Sequence, residues 1–142
     1  MFSNKKKHPM VASKLSSLIA EGVEITGDLV FTGGMRIDGK VKGNVVGRDT
    51  SGGKTPPLLV LSDKGQVEGS VRCGNALING VVTGDLDIEH FLELQSSARV
   101  HGTIRYRQLQ MDVGADVQGR LVRADVPATN VVELPVEKAE RS

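Results

Sequence analysis

The sequence has few large aromatic residues. Among 142 residues there is no tryptophan, one tyrosine and three phenylalanines. A chain of this length suggests one domain with a core of its own, but that core cannot be built on large aromatic rings. The 17 glycines and the many β-branched residues are instead typical of a narrow interior with tight corners, as in a solenoid.

Cysteine and long apolar runs are also scarce. The single Cys73 cannot form an internal disulfide, which suits a reducing compartment, and we expect it to be a small packing residue. No apolar run approaches the roughly 20 residues of a membrane span. The N-terminal lysines are not followed by the apolar region of a signal peptide. We therefore expect a cytoplasmic protein.

The charge is small overall and unevenly placed. The net charge of +1 gives no reason to expect nucleic acid as a partner, but residues 1–14 carry four lysines and no acid. We predict that this segment is disordered and binds an anionic membrane surface through lysines and a terminal aromatic side chain. The residues concerned are Met1, Phe2, Ser3, Lys5, Lys6 and Lys7.

The chain contains a repeat in which an apolar residue lies two positions before and two positions after a glycine. The six glycines are Gly27, Gly43, Gly69, Gly84, Gly102 and Gly119. Their separations of 16, 26, 15, 18 and 17 residues follow from those numbers. A period near 17 with strand-like alternation predicts a solenoid of about six coils, in preference to a β-sandwich.

The alternation also predicts which side chains face the interior. Val100 and Ile104 should point inward with Gly102 between them, at a tight bend or a narrow corner, while His101 points outward. The long interval contains an insertion at 48–57, which we expect to be a loop at a corner. The β-helical domain is predicted over 15–124 and a disordered tail over 125–142.

No pattern of catalytic or ligand-binding residues stands out. Gly53, Lys54 and Thr55 resemble the end of a phosphate-binding loop, but Arg48 occupies the position of its first glycine and a strand-like run follows. His101 could suggest a hexapeptide-repeat acyltransferase, yet the strict six-residue rhythm is missing. We predict no catalytic residue, no metal site and no cofactor, and hence a protein that is not an enzyme.

The repeat and its opening resemble the bactofilins, bacterial polymer-forming cytoskeletal proteins, over approximately 18–124. The most specific parts are LIAEGVEITGDL at 18–29 and GMRIDGKVKG at 34–43, and the Met-Phe-Ser terminus followed by lysines is similar to the membrane-targeting tail of some members. The resemblance implies a right-handed, three-sided β-helix and nucleotide-independent, non-polar filaments. It also implies a cytoskeletal scaffold at the inner face of the cytoplasmic membrane, which positions peptidoglycan synthases, hydrolases or other morphogenesis proteins. Val117 stands where members often carry an aromatic residue, and the 48–57 insertion is unusual.

Self-association into a homopolymer is also predicted from the coil ends, because these expose unpaired backbone and apolar surface. If like ends meet, two isologous contacts alternate and the filament has no polarity. The predicted N-terminal contact uses Leu18, Ile19, Val23 and Ile25. The predicted C-terminal contact uses Leu109, Met111, Val117 and Leu121. The alternative is a non-polymerising β-helical module that binds a protein partner.

Overall fold

A computed structural model describes residues 15–49 and 56–124, and within these ranges every regular element is a β-strand. The strands wind into a parallel solenoid with three faces and six coils. The first face contains β1 (Ser17–Ile19), β4 (Gly34–Ile37), β7 (Leu58–Leu61), the ends of β9 (Val71–Ile78) and β11 (Leu86–Leu94), and β13 (Gln108–Met111).

The other two faces follow in the same order along each coil. The second face contains β2 (Glu24–Thr26), β5 (Lys40–Lys42), β8 (Gln66–Glu68), β10 (Val81–Thr83) and the beginnings of β12 (Arg99–Tyr106) and β14 (Asp116–Arg123). The third face contains β3 (Leu29–Thr32), β6 (Val45–Arg48), the beginnings of β9 and β11, and the ends of β12 and β14. The predicted three-sided solenoid of about six coils is confirmed.

The strand register matches the repeat that the sequence shows. On the second face one column of paired residues runs through all six coils: Ile25, Val41, Val67, Val82, Val100 and Val117. Equivalent positions thus stay in line although the chain between them varies from 15 to 26 residues. Parallel pairing on both sides satisfies the backbone groups of the middle coils.

The interior is filled by stacked aliphatic side chains. Val100 and Ile104 are fully buried, as the alternation predicts, and so are Val41 and Leu86 in other coils. Each coil contributes a thin layer that has no apolar core of its own, so stability comes from contacts between successive layers. This dependence on neighbours explains how a chain with so few aromatic residues forms a continuous core.

The repeated glycines form a column at the corner between the second and third faces. All six have positive φ, from +127° at Gly27 to +155° at Gly43. A Cβ on Gly84 would collide with the backbone carbonyl of Gly69, and a Cβ on Gly102 with that of Gly84. A side chain at these positions would therefore collide with the preceding coil, along the axis of the solenoid. The sequence pattern had instead predicted that these glycines face the interior, between the apolar residues.

The corner between the first and second faces has two lengths, two or four residues. In four coils it is a turn closed by a backbone hydrogen bond, with donors Val23, Gly65, Ala98 and Ala115 bonding to the carbonyl three residues earlier. In the second and fourth coils the strands are separated only by Asp38-Gly39 and Asn79-Gly80. The two corner types change the coil length by two residues, and the insertion between β6 and β7 accounts for the much longer 26-residue interval.

Side chains link successive coils where backbone groups turn away from the sheet. At the glycine corner, Asp28 Oδ1 accepts a hydrogen bond from the Asn44 backbone N–H at 3.0 Å, and Asn44 Oδ1 accepts one from the Ser70 N–H at 2.9 Å. Asp85 Oδ1 accepts from the Thr103 N–H at 3.0 Å in the same way. Short carboxylate and amide side chains thus extend the ladder of hydrogen bonds through the corner.

The insertion leaves the solenoid after β6 and rejoins it at β7. Its central residues, 50–55, lie outside the described residues, as do the predicted disordered segments 1–14 and 125–142. The Pro57 carbonyl accepts hydrogen bonds from the Asn75 N–H at 2.9 Å and from Cys73 Sγ at 3.2 Å. These bonds fix the register where the chain returns.

We predict that Gly84→Ala destabilises the solenoid much more than Gly27→Ala. Both glycines have positive φ, so each substitution costs about 1–2 kcal/mol in backbone strain. Only Gly84 adds a collision with backbone, because a Cβ on Gly27 has no neighbour within 4 Å. Urea unfolding followed by circular dichroism should show an additional loss of roughly 2 kcal/mol or more for Gly84→Ala. Equal losses would contradict the role of the column.

We also predict that the Cys73 thiol does not react in the folded protein. Burial raises its pKa to about 12, so at pH 8 almost no thiolate is present, and the reagent has no access to the core. A disulfide reagent should modify Cys73 only after urea unfolding. Thr83→Cys in a Cys73→Ala background is the control, because position 83 is exposed and should react at once. Rapid modification of folded Cys73 would contradict its packing role.

Candidate assembly surfaces at the two ends

The N-terminal end presents three strands that pair on one side only within the described residues. β1, β2 and β3 each bond to the second coil and to nothing before it. Of the predicted contact residues, Leu18 is 59% exposed and Val23 is 44% exposed. Ile25 is half-buried against the core, and Ile19 is buried within it. The open edge and the exposed apolar side chains therefore occur together at this end.

Within that predicted set the side chains point in different directions. Ile19 pairs with the buried Ile37 and faces the interior, whereas Leu18 pairs with Arg36 on the outward side of the first face. Leu18 thus lies at the rim of the end, while Val23 belongs to the turn between the first and second faces. Gly27 shows a further difference that the sequence did not reveal. A Cβ on this glycine would have no neighbouring atom within 4 Å, unlike a Cβ on the equivalent glycines of later coils.

The acidic side chains of the first coil are tied back to later coils. Residues 15–33 contain three acids and no lysine or arginine. Glu24 lies 3.1 Å from Lys42 Nζ, and Glu21 lies 3.5 Å from Lys64 Nζ. The hydrogen bond and charge of Glu24 raise the pKa of Lys42. Since these pairs are exposed, each contributes little to stability, but they orient carboxylates away from the open end.

A neighbouring polar cluster stabilises the second coil's corner. Hydrogen bonds from Ser62 and Arg36 lower the pKa of the Asp38 carboxyl group, and Arg36 Nε lies 2.9 Å from Asp38 Oδ1. Asp38 therefore stays ionised and keeps its hydrogen bonds at neutral pH. These contacts join the short corner to the turn of the third coil.

The C-terminal end differs from the N-terminal end in burial. Among the described strands, β13 pairs only with β11, and β14 pairs only with β12. Leu109 and Met111 on the first face are half-buried against the core. Val117 on the second face is 0% exposed and Leu121 on the third face is 6% exposed. Of the four predicted residues, only the first two are therefore partly accessible.

The outward faces bear the residues that sequence reasoning considered for catalysis. His101 is exposed and lies in a row with Thr83 and Gln118 of the adjacent coils. Neither neighbour is ionisable, so the row does not form an acid–base pair with His101. In the part of the chain that the structure describes, no group of three or more His, Cys, Asp or Glu residues is arranged to hold a metal ion.

A cleft on the third face was not anticipated from the sequence. It has a volume of about 410 Å³ beside the point where the insertion leaves the solenoid. Charges of both signs line it, including Arg48, Arg72, Asp87 and Glu89. The carboxylate of Asp87 lies 3.9 Å from Arg72 Nε and 4.0 Å from Arg105 Nε. These charged residues are far apart in the sequence, and the stacking of successive coils brings them together.

The predicted membrane-binding residues of the N-terminal segment lie outside the described residues. They are Met1, Phe2, Ser3, Lys5, Lys6 and Lys7. Among the residues that are described, no helix is long and apolar enough to cross a membrane.

Comparisons with known proteins identify the family of this chain. A family model described as "Bactofilin: Polymer-forming cytoskeletal" matches residues 17–122. The chain is similar to Bactofilin BacP of Myxococcus xanthus (strain DK1622), with 26% identity over 123 residues. That alignment covers 87% of this chain and 47% of BacP, so the chain spans about half the length of that relative. No solved structure matches. The family model covers the six-coil parallel β-solenoid almost from end to end. The chain therefore belongs to the bactofilin family of polymer-forming cytoskeletal proteins.

Proposed function

We propose that this protein assembles through the two ends of its solenoid, without nucleotide, into non-polar filaments. The filaments bind the inner face of the cytoplasmic membrane through the N-terminal segment and position cell-wall enzymes or other morphogenesis proteins. The observation that carries this proposal is the pair of open strand edges, each beside apolar side chains.

The backbone at the ends supports assembly by stacking. The described end strands have unpaired hydrogen-bonding groups in the same geometry that joins the six coils to one another, and a second copy can satisfy those groups. Two copies meeting through like ends bury Leu18 and Val23 against their equivalents in an isologous contact. The carboxylates of the first coil, tied back to Lys42 and Lys64, then lie away from those of the partner.

The membrane proposal rests on charge and multiplicity. Each lysine near an anionic surface contributes about 1 kcal/mol, and Phe2 adds an aromatic ring at the interface. One chain would bind weakly, whereas a filament presents many copies and binds by avidity. Polymerisation and membrane attachment therefore strengthen each other.

We predict that Leu18→Arg with Val23→Arg stops filament growth. Both side chains are exposed, so the folded chain should tolerate arginine, but two copies could no longer bring their N-terminal ends together without juxtaposing like charges. Analytical ultracentrifugation without nucleotide should show particles no larger than a dimer. The control is Thr83→Arg, which adds an outward arginine in the middle of the rod and should still permit assembly.

Persistent large assemblies in the Leu18/Val23 variant would contradict the proposed N-terminal contact. A strictly monomeric unmodified protein at all concentrations would instead favour the non-polymerising binding module. Val117→Arg is a poor probe of the opposite end, because it would place a charge among fully buried side chains and threaten the fold.

We predict that removing residues 1–7 releases the protein from anionic vesicles and leaves assembly unchanged. Loss of three lysines should weaken binding of a single chain roughly a hundredfold. Co-sedimentation with phosphatidylglycerol-containing vesicles measures binding, and ultracentrifugation without vesicles measures assembly. The matched control replaces Lys5, Lys6 and Lys7 with arginine, which keeps the charge and should keep binding. Unchanged binding after deletion would refute this role for the segment.

A further inference from the structure

The charges of the described residues are not spread evenly around the solenoid. The strands of the second face carry three cations and three anions, and those of the first face carry Arg36 and Glu93. Both of these faces are therefore neutral. The strands of the third face carry four arginines and two acids, a net charge of +2. These residues are Arg48, Arg72, Arg105 and Arg123 against Asp87 and Glu89.

The corner opposite the third face has the opposite charge. It is the corner between the first and second faces, which lies across the core from the third face in a three-sided solenoid. Its turns carry four acids and one lysine, namely Glu21, Asp38, Asp63 and Asp112 against Lys64. The described rod therefore has one positive side and, opposite it, one negative corner.

The arginines of the third face are exposed and only loosely neutralised. Arg72 Nε and Arg105 Nε lie 3.9 Å and 4.0 Å from the carboxylate of Asp87, which both arginines share. On the second face, by contrast, Lys40 Nζ and Lys42 Nζ each lie 3.1 Å from a separate glutamate. One carboxylate shared by two arginines leaves positive charge at the surface of the third face.

Apolar side chains lie beside the arginines on this face. Val46 pairs with Val30 on one side and with Arg72 on the other, so valine and arginine follow one another on the outer side of the sheet. Val30 is 50% exposed and Val46 is half-buried. Cations next to accessible apolar side chains are typical of surfaces that bind the head-group region of a membrane.

We propose that the solenoid lies lengthwise on an anionic membrane, with its third face toward the lipid head groups and its acidic corner turned away. Arginine suits this contact because its planar guanidinium group pairs with phosphate through two parallel hydrogen bonds. A net charge of +2 on one face binds too weakly to hold a single chain, so the N-terminal segment remains the main attachment. The third face determines how the attached rod is oriented.

This orientation restricts how copies can join in a non-polar filament. A two-fold axis perpendicular to the rod keeps both third faces on the same side of the filament only where it passes through the middle of that face. The same axis passes through the opposite corner, where Val23 lies in the first turn, so Val23 would face its equivalent in the second copy. The choice of axis rests on the proposed function, whereas the orientation of a single rod does not.

Energy transfer from labelled sites to the membrane tests the orientation of the full chain. Thr26 and Thr32 are matched positions, because both are exposed threonines of the first coil, one on the second face and one on the third. Thr26→Cys and Thr32→Cys are labelled in a Cys73→Ala background, with Ser97→Cys at the acidic corner as a third site. On phosphatidylglycerol vesicles with an acceptor on the head groups, transfer should be strongest from position 32 and weakest from position 97.

Charge-neutralising variants separate the third face from the net charge of the chain. Arg72→Gln with Arg105→Gln should weaken binding to phosphatidylglycerol vesicles roughly tenfold, at protein concentrations where the chain alone does not sediment. The matched control, Lys40→Gln with Arg99→Gln, removes the same charge from the second face and should retain most of the binding.

Three results would overturn the orientation. Equal transfer from positions 26 and 32 would show that the rod stands on its N-terminal end, and equal losses in the two double variants would show that binding follows net charge alone. Competition by free glycerol phosphate at the concentration of the head groups would assign the arginines to a soluble phosphate.

Failure of the proposed function gives different results. If deletion of residues 1–7 leaves vesicle binding unchanged while the transfer order holds, the role of the N-terminal segment is refuted and the orientation stands. A protein that never sediments but shows the same transfer order would refute filament formation and also leave the orientation standing.

Discussion

The structure depends on in-register stacking of parallel coils. Each coil obtains its backbone hydrogen bonds and its apolar contacts from the coils on either side, so no coil is stable alone. The glycine column imposes the tightest form of this requirement, because carbonyl groups of one coil occupy the space where Cβ atoms of the next would lie. The number of residues between equivalent positions can therefore change from coil to coil, whereas the pairing of those positions cannot.

Variation is accordingly confined to places where the ladder is already interrupted. The corner between the first and second faces accepts either two or four residues, because a closed turn and a short Asn-Gly or Asp-Gly link join the same two strands. The 48–57 insertion occupies another corner, and the hydrogen bonds to the Pro57 carbonyl restore the register behind it. At the glycine corner itself, side chains such as Asn44 replace the missing backbone partners.

The sequence predicts the repeated part of this fold well and its exceptions poorly. The apolar-x-Gly-x-apolar pattern identifies six coils and their register, because stacking constrains the same positions in every copy. It does not show that the glycines are required by contacts between successive coils. The alternation within one coil tells which side chains face the interior, but not which backbone atoms of the next coil lie close. It also groups Leu18 with Ile19 and Val117 with Leu109, although their exposures differ. Those differences arise from non-local packing at the ends.

The two ends of the solenoid therefore differ in side-chain exposure although both are built from the same repeat. Stacking leaves a strand edge at each end of the described solenoid, and the exposure of the side chains there depends on residues that the repeat does not specify. At the N-terminal end, Lys42 and Lys64 hold acidic side chains away from an open edge. At the other end, Val117 and Leu121 have the burial of interior residues. The same repeat position is therefore half-buried in the first coil, at Ile25, and fully buried in the last, at Val117.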